Sequence, residues 1–390
     1  MTLKKYSIAR VTTSDISMDL LLIGQLKELS KNWDVTAISS PGERLVKVGN
    51  REGVKIFGVK MERQISLISD LISFFKLYLY FKKNPTTIAH SITPKAGLLT
   101  MLAAKLSGVP IRIHTFTGII FPTKTGFLKK ILILADKIIC KSATNVYAEG
   151  IGVKNDLINY GITNKPIKIL ANGNINGIDC NYFDPKLITK EDKEKLRNSL
   201  NIKKTDFIFL FVGRLVKDKG IDELVKAFKS INNPSIKLLL VGPYEEHLSP
   251  LSFFTHEEIE KNDKIITTGF ENDVRQYYGI ANVFVFPSYR EGFPNVLLQA
   301  GAMNLPCIAT NINGCNEIIK NGINGLLIQP QNFKELKSKM TDLIENPSLC
   351  AELSKTSRQN IVEKFNNKIV WETLHKEYNF HISRHKIFKI

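Results

Sequence analysis

Apolar and polar positions along the chain fall into short, strongly apolar runs separated by stretches of helical period. Runs at residues 6–11, 34–38, 54–59, 87–90, 111–115 and 137–140 have the length and β-branched content of buried strands. Between them, residues 20–30, 66–83 and 95–107 repeat apolar positions at helical spacing, and the last of these stops at Gly108 before Pro110. The pattern then restarts. Residues 207–212 predict a fully buried strand, 221–230 a helix, and 237–241, 264–267, 283–286 and 306–310 further strands. Strand–helix alternation implies parallel sheets covered on both faces, and two separate runs of it imply two Rossmann-like domains. The polar segment 173–204, with Pro185 and a charged helix over 190–200, is the expected junction. Near-helical spacing of Ile369, Val370, Leu374 and Tyr378 predicts a final helix.

Composition narrows the class. Apolar content of 43% supports a proper core, and 390 residues suggest two or three domains. The five cysteines are odd in number and none is spaced Cys-x-x-Cys, which argues against a disulfide framework or a zinc knuckle. No apolar run approaches the ~20 residues of a membrane span, and the N-terminus lacks a signal-peptide core. A cytoplasmic protein, at most peripheral to the membrane, is expected.

Charge adds a direction. The net charge is +17, and residues 1–180 carry 25 Lys+Arg against 12 Asp+Glu, a net of +13. Between Asp70 and Asp136 there is no acidic residue and there are nine basic ones. Such a field favours anionic partners: lipid head groups, diphosphates or nucleic acid; a solvated Lys-rich surface is the plainer alternative. Residues 65–83 combine Phe74, Phe75, Leu77, Tyr78 and Tyr80 with Lys76, Lys82 and Lys83, and are the expected membrane-contact element. An ordinary sheet-covering helix explains the same pattern. No helix-turn-helix, zinc finger or aromatic–basic RNA motif is present, so a nucleic-acid partner is not expected.

Three segments carry candidate chemistry. Residues 209–220, FLFVGRLVKDKG, take a buried strand to Gly213 and then present Arg214 and Lys219, a guanidinium and an ammonium able to grip a diphosphate. Residues 284–303 run from a strand through Arg290, Glu291, Gly292 and Phe293 to Pro294, which suits the first turn of a helix whose free N–H groups could meet an anion or a sugar hydroxyl. Glu291 can accept hydrogen bonds from sugar hydroxyls, and Gln299 follows eight residues later. Residues 310–319 repeat the strand–turn–helix plan around Asn313-Gly314.

Taken in order, Val212-Gly213-Arg214-Leu215, Lys219-Gly220, Glu291-Gly292-Phe293-Pro294-Asn295, Asn313-Gly314 with Glu317, and the NGINGLL run at 321–327 resemble the retaining glycosyltransferases of family 4, which have the GT-B fold. The resemblance implies two Rossmann-like domains facing a cleft: residues 1–180 binding the acceptor, residues 181–365 binding a nucleotide sugar, and residues 366–390 as a helix packing back on the first domain. It implies that Arg214 and Lys219 hold the donor diphosphate, and that Gly213, Gly242 and Gly292 are among the donor-binding residues. Glu291 would meet the sugar, backbone amides over Phe293, Pro294 and Asn295 would touch sugar and phosphate, and Gln299 would meet the ribose where the family usually has a second Glu. The catalytic set implied is Glu291, His114, Arg214 and Lys219.

On the acceptor side the loop after the first strand reads Thr12-Thr13-Ser14-Asp15-Ile16-Ser17, where the family often has a Gly-rich loop; Thr13 is the candidate there. His90, Lys95, Thr117 and Gly118 complete that side. A strand histidine packed in the core remains the alternative for His114.

The activity implied is transfer of a hexose or N-acetylhexosamine from a nucleotide-diphosphate sugar, UDP-linked, to a lipid-linked or saccharide acceptor in surface-polysaccharide synthesis (capsule, O-antigen or exopolysaccharide). Another GT-B-type enzyme, an epimerase or a phosphorylase, is the alternative. No Asp-x-Asp motif stands where a donor diphosphate would need one, so no essential metal and no cofactor are expected.

Overall fold

The computed structural model describes residues 6–62, 66–245 and 249–387. The chain divides into two units: residues 1–176 with 368–390, and residues 177–367. These divisions lie four and two residues from those read at 180 and 365 in the sequence.

The first unit holds seven parallel strands: β1 (Ser7–Val11), β2 (Asp34–Ser39), β3 (Lys55–Gly58), β4 (Ile88–Ile92), β5 (Ile111–Phe116), β6 (Asn145–Ala148) and β7 (Ile167–Ile169), in the order β3-β2-β1-β4-β5-β6-β7. The second holds six: β8 (Phe207–Val212), β9 (Ile236–Val241), β10 (Ile265–Gly269), β11 (Val283–Phe286), β12 (Cys307–Thr310) and β13 (Gly325–Ile328), in the order β10-β9-β8-β11-β12-β13. Both sheets reverse direction of growth once, between β1 and β4 and between β8 and β11. Open α/β sheets place ligands at the carboxyl ends of strands flanking such a reversal.

The inner strands are buried on both faces, as their continuous apolar runs require, while the edge strands β3, β7 and β10 are partly exposed. Ile8, Ile88 and Ile113 pack on one side of the first sheet, with Met18, Leu26, Leu374 and Tyr378. Ala9, Val11 and Ala89 pack on the other, against Leu77, Phe81 and Leu99. There the helix Pro94–Leu106 lies between the helices Leu67–Lys83 and Gly126–Ser142. The last helix, Asn367–Ile387, places Trp33 against His375 at 4.7 Å, so the chain ends on the first unit.

Three expectations are corrected. Residues 137–140 are the end of the helix Gly126–Ser142, and the strand lies further on, at Asn145–Ala148. Residues 20–30 are two helices, Asp15–Leu21 and Gln25–Ser30, separated at Gly24, whose φ is +76°. Pro294 precedes the helix Asn295–Ala302 with extended ψ of 110°. Of the proposed contact element 65–83, Ile65 lies outside the described residues, and the rest forms the helix Leu67–Lys83.

Candidate active site

The second sheet gathers most of the donor-side candidates at its carboxyl edge. Lys219 follows β8 and Glu291 follows β11, the two strands at the reversal. Their side chains form an ion pair, Nζ to Oε1 2.5 Å, with exposures of only 16% and 13%. The Ser288 hydroxyl donates to the same Glu291 oxygen at 2.6 Å. The ammonium also sits 5.5 Å from the centroid of Phe286. A cation and a carboxylate are thus held together where the topology puts a ligand, 72 residues apart in sequence.

Close backbone packing holds these loops. A Cβ on Gly220 would lie 2.1 Å from the Pro287 carbonyl oxygen, and Gly220 has φ +73°. A Cβ on Gly242 would lie 1.9 Å from the Gly213 carbonyl oxygen, at φ +145°. Only glycine allows both the conformation and the approach. The Tyr289 N–H donates to the Asp218 carbonyl at 2.9 Å, and the Thr310 hydroxyl donates to the Ser288 carbonyl at 2.5 Å. The loops after β8, β11 and β12 are therefore tied to one another.

The remaining donor-side residues are placed as follows. Arg214, just past β8, donates to Glu245 at 2.9 Å and is 38% exposed, so its charge stays accessible. The Gly292 carbonyl lies against Gly314, whose N–H donates to Glu317 at 3.3 Å. Phe293 is buried and packs on Phe365 at 5.5 Å. Asn295 opens the Asn295–Ala302 helix, and Gln299 on that helix accepts from the buried Tyr278 hydroxyl at 3.1 Å.

On the first unit, the β1–β4 reversal brings together Thr13 and Thr93. Their hydroxyls are 2.8 Å apart, and the Thr13 N–H donates to Thr93 Oγ1 at 3.0 Å. Thr93 has φ +73°, a strained conformation for a β-branched residue. Thr117 and Gly118 follow β5 and are half-buried at its carboxyl end. Lys95 pairs with Asp70 at 2.7 Å, so its ammonium braces the helix Leu67–Lys83.

Both histidines must be reassigned. In the β4–β5 ladder Ser91 faces His114, and His90, one residue earlier, points to the opposite side. His114 is 1% exposed and hydrogen-bonds Ser91 Oγ at 2.9 Å; a Cβ on Gly97 would lie 2.4 Å from its ring. Burial pushes its pKa down to about 3, so the ring is neutral near neutral pH. His90 is also 1% exposed, between Tyr378 Oη at 2.6 Å and Thr115 Oγ1 at 2.7 Å. Burial first, then the Arg10 charge, hold its pKa well below the usual value. Both rings are thus buried against protein groups and turned away from solvent.

Sequence reasoning missed Ser288, Glu245 and Thr93. Ser288 and Thr93 stand at or just past the ends of strands bordering the reversals, a positional signal available once strand order is known. Glu245 had none.

Two parallel α/β units of this topology are the GT-B fold. The profile "Glycosyl transferase 4-like" matches residues 14–149, and "Glycosyl transferases group 1" matches residues 192–360. Over 97% of this chain and 98% of its own length, the capsular polysaccharide biosynthesis glycosyltransferase CapM of Staphylococcus aureus is 35% identical. The UDP-Gal:alpha-D-GlcNAc-diphosphoundecaprenol alpha-1,3-galactosyltransferase of Escherichia coli is 32% identical over 78% of each chain. Among solved structures, a Rickettsia africae glycosyltransferase superposes with TM-score 0.81 at 23% identity, covering 97% of this chain and 99% of its own. Anabaena Alr3699/HepE, in complex with UDP and glucose, superposes with TM-score 0.83 at 18% identity over 96% and 99%. The chain belongs to the family 4-like glycosyltransferases and is a glycosyltransferase enzyme.

Proposed function

We propose that the chain transfers a hexose or N-acetylhexosamine, with retention at the anomeric carbon, from a UDP-sugar to a lipid-linked or saccharide acceptor in bacterial surface-polysaccharide assembly. One observation carries the reading: the Lys219–Glu291 pair, 2.5 Å apart and largely buried, at the reversal of the second sheet. Lys219 and Arg214 take the diphosphate, and Glu291 accepts from sugar hydroxyls. Backbone N–H groups of Phe293 and Asn295 meet sugar and phosphate, and Gln299 meets the ribose. The name of CapM speaks for capsule, and that of the E. coli relative for UDP-linked donor and diphosphoundecaprenol acceptor.

In the reaction, the bond from the anomeric carbon to the diphosphate breaks, and the acceptor hydroxyl bonds to the same face of that carbon. Its proton goes to the departing phosphate oxygen, with no covalent enzyme intermediate. The protein contributes positioning and stabilises the charge growing on the leaving diphosphate. With two cations at that position, no metal is needed; turnover lost to a chelator and restored by Mg²⁺ or Mn²⁺ would overturn this. The residues for the acceptor side are Thr13, Thr117 and Gly118, at the carboxyl edge of the first sheet.

The enzyme works at the cytoplasmic face of the membrane. Among the described residues, no helix is long and apolar enough to cross a membrane. The helix Leu67–Lys83 instead exposes Leu67, Ile68, Leu71 and Phe75, and the helix Gly126–Ser142 exposes Phe127 and Leu134, beside exposed Lys76, Lys82, Lys83 and Lys130. That combination suits an anionic bilayer surface. Co-sedimentation with liposomes should rise with anionic lipid and fall with salt; indifference to both removes the membrane from the reading.

The deciding experiment is thermal stabilisation by a panel of nucleotide sugars, followed by transfer to polyprenyl-diphosphate sugars. Stabilisation by a UDP-sugar and product on the lipid acceptor are expected. Free epimerised sugar without acceptor would favour the epimerase alternative, which no observation here favours.

A further inference from the structure

Arg10, the fourth residue of the central strand β1, is 1% exposed. A buried guanidinium ordinarily sits against a carboxylate, because an uncompensated charge in a dry interior is strongly disfavoured. Among the described residues, both of its hydrogen-bond partners are neutral. Nη2 donates to Gln25 Oε1 at 2.9 Å, and Nη1 donates to Tyr378 Oη at 3.3 Å. The Gln25 amide is itself fixed by donation to the Ile175 carbonyl at 2.8 Å, so its oxygen must face Arg10. The buried carboxylate nearest in sequence to Tyr378, Glu377, is committed to Tyr147, Lys168 and His381. Arg10 Nε is buried and has no partner among the described residues.

Beside Arg10 lies a cavity of about 10 Å³, lined by His90, Thr115, Asn174, Leu170 and Leu374 as well as Arg10 itself. That is room for one water-sized or chloride-sized sphere. Arg10 can only donate to Tyr378 Oη. In the tautomer in which the Tyr378 hydroxyl donates to His90 Nδ1 at 2.6 Å, the neutral His90 carries its own proton on Nε2 and donates to Thr115 Oγ1 at 2.7 Å. The Thr115 hydroxyl proton then has no histidine to point at. Two donors, Arg10 Nε–H and Thr115 Oγ1–H, are left at a small cavity that also carries the arginine's full positive charge. Donors alone would suit a water. Donors plus an unmatched charge suit an anion.

We propose that this cavity binds a monatomic anion of chloride size, held by Arg10 Nε and the Thr115 hydroxyl. Leu374, which lines the site, and Tyr378, whose hydroxyl accepts from Arg10, belong to the helix Asn367–Ile387. The ion therefore fastens the end of the chain to the central strands of the first sheet.

Thermal unfolding of the full chain in sodium chloride, bromide and gluconate at matched ionic strength tests this. Chloride and bromide should raise the midpoint by roughly 3–6 °C over gluconate, saturating with concentration. Arg10→Met should abolish the halide response. Thr115→Val keeps the charge and loses one donor, and should shift the half-saturating concentration up at least about 3-fold; it also serves if Arg10→Met does not fold. Crystals grown in bromide should give an anomalous peak within about 3.5 Å of Arg10 Nε. Equal midpoints in halide and gluconate, a full response in Arg10→Met, or density in the cavity without anomalous signal would each overturn the proposal, the last by making the occupant a water.

Discussion

Lys219 already has an anionic partner within the protein. Its ammonium lies 2.5 Å from a Glu291 oxygen, with both side chains largely out of water. A nucleoside diphosphate that binds through Lys219 must compete with that carboxylate. Glu291→Gln keeps the shape and the hydrogen bond from Ser288 but removes the competing charge. Two unit charges 4 Å apart interact by about 4 kcal/mol at an effective dielectric of 20 and about 1 kcal/mol in water. The site opens to solvent when ligand enters, so the lower end is the safer figure. Relief of about 1 kcal/mol tightens UDP binding by roughly 5-fold. The same substitution removes a charged acceptor for the donor's sugar hydroxyls. A UDP-sugar should therefore gain less affinity than UDP, and kcat should fall about 100-fold or more. Isothermal titration of UDP and of the best UDP-sugar, with initial rates of transfer, reads all three quantities. If Glu291→Gln binds UDP no more tightly than wild type, the pair does not compete with the diphosphate and Lys219 is not its cradle.

Three further outcomes follow from the packing and the buried charges. Gly220→Ala places a Cβ 2.1 Å from the Pro287 carbonyl oxygen at φ +73°, and should lower the unfolding free energy by about 2–3 kcal/mol in urea titration while weakening nucleotide binding. A wild-type midpoint would mean the two loops are not tightly packed. His114, with its pKa near 3 in the fold and 6.5 when unfolded, contributes stability that is present above pH 6.5 and lost as pH falls towards 3. His114→Gln should flatten the stability–pH curve by up to one proton in that window and leave the pH profile of kcat unchanged; a displaced kcat profile would restore a catalytic role. Asp136 runs the other way: burial raises it from 3.8 to about 7, so stability is full below 3.8 and lost as pH rises through 7. Asp136→Asn should stabilise by about 2–4 kcal/mol at pH 8 and by little at pH 4, measured by urea unfolding at both.

Most of the fold was legible because parallel strands buried on both faces are written as continuous apolar runs, and residues 207–212 and 283–286 are of that kind. The misreading at 137–140 has a physical source. Ile138 and Ile139 are β-branched neighbours, yet they lie in the last turns of a 17-residue helix, where tertiary packing outweighs propensity. The true strand is four residues long and opens with Asn145, too short to declare a period. Gly24 falls inside the helix expected over residues 20–30. The structure instead uses its left-handed conformation to break the segment into two helices, where a Cβ would meet the Trp371 ring at 2.9 Å. No local pattern contains that contact, since Trp371 belongs to the far end of the chain.

The site divides along the same line. Residues beyond a strand's carboxyl end were placed at the right sheet edge, because the end of an apolar run fixes that position, and Lys219 and Glu291 meet there as an ion pair. Residues inside a strand were not, because which face they take depends on a register that a one-residue step inverts. His90 and His114 show the consequence. The ladder sets Ser91 opposite His114, so the two histidines face opposite layers, one beneath Tyr378 and one beneath Gly97. Each is buried and neutral, which disqualifies both as proton carriers near neutral pH. In the proposed reaction, acid–base work on the acceptor hydroxyl falls to a group that arrives with the donor. A departing phosphate oxygen fits that need, and a proton relay through either histidine does not.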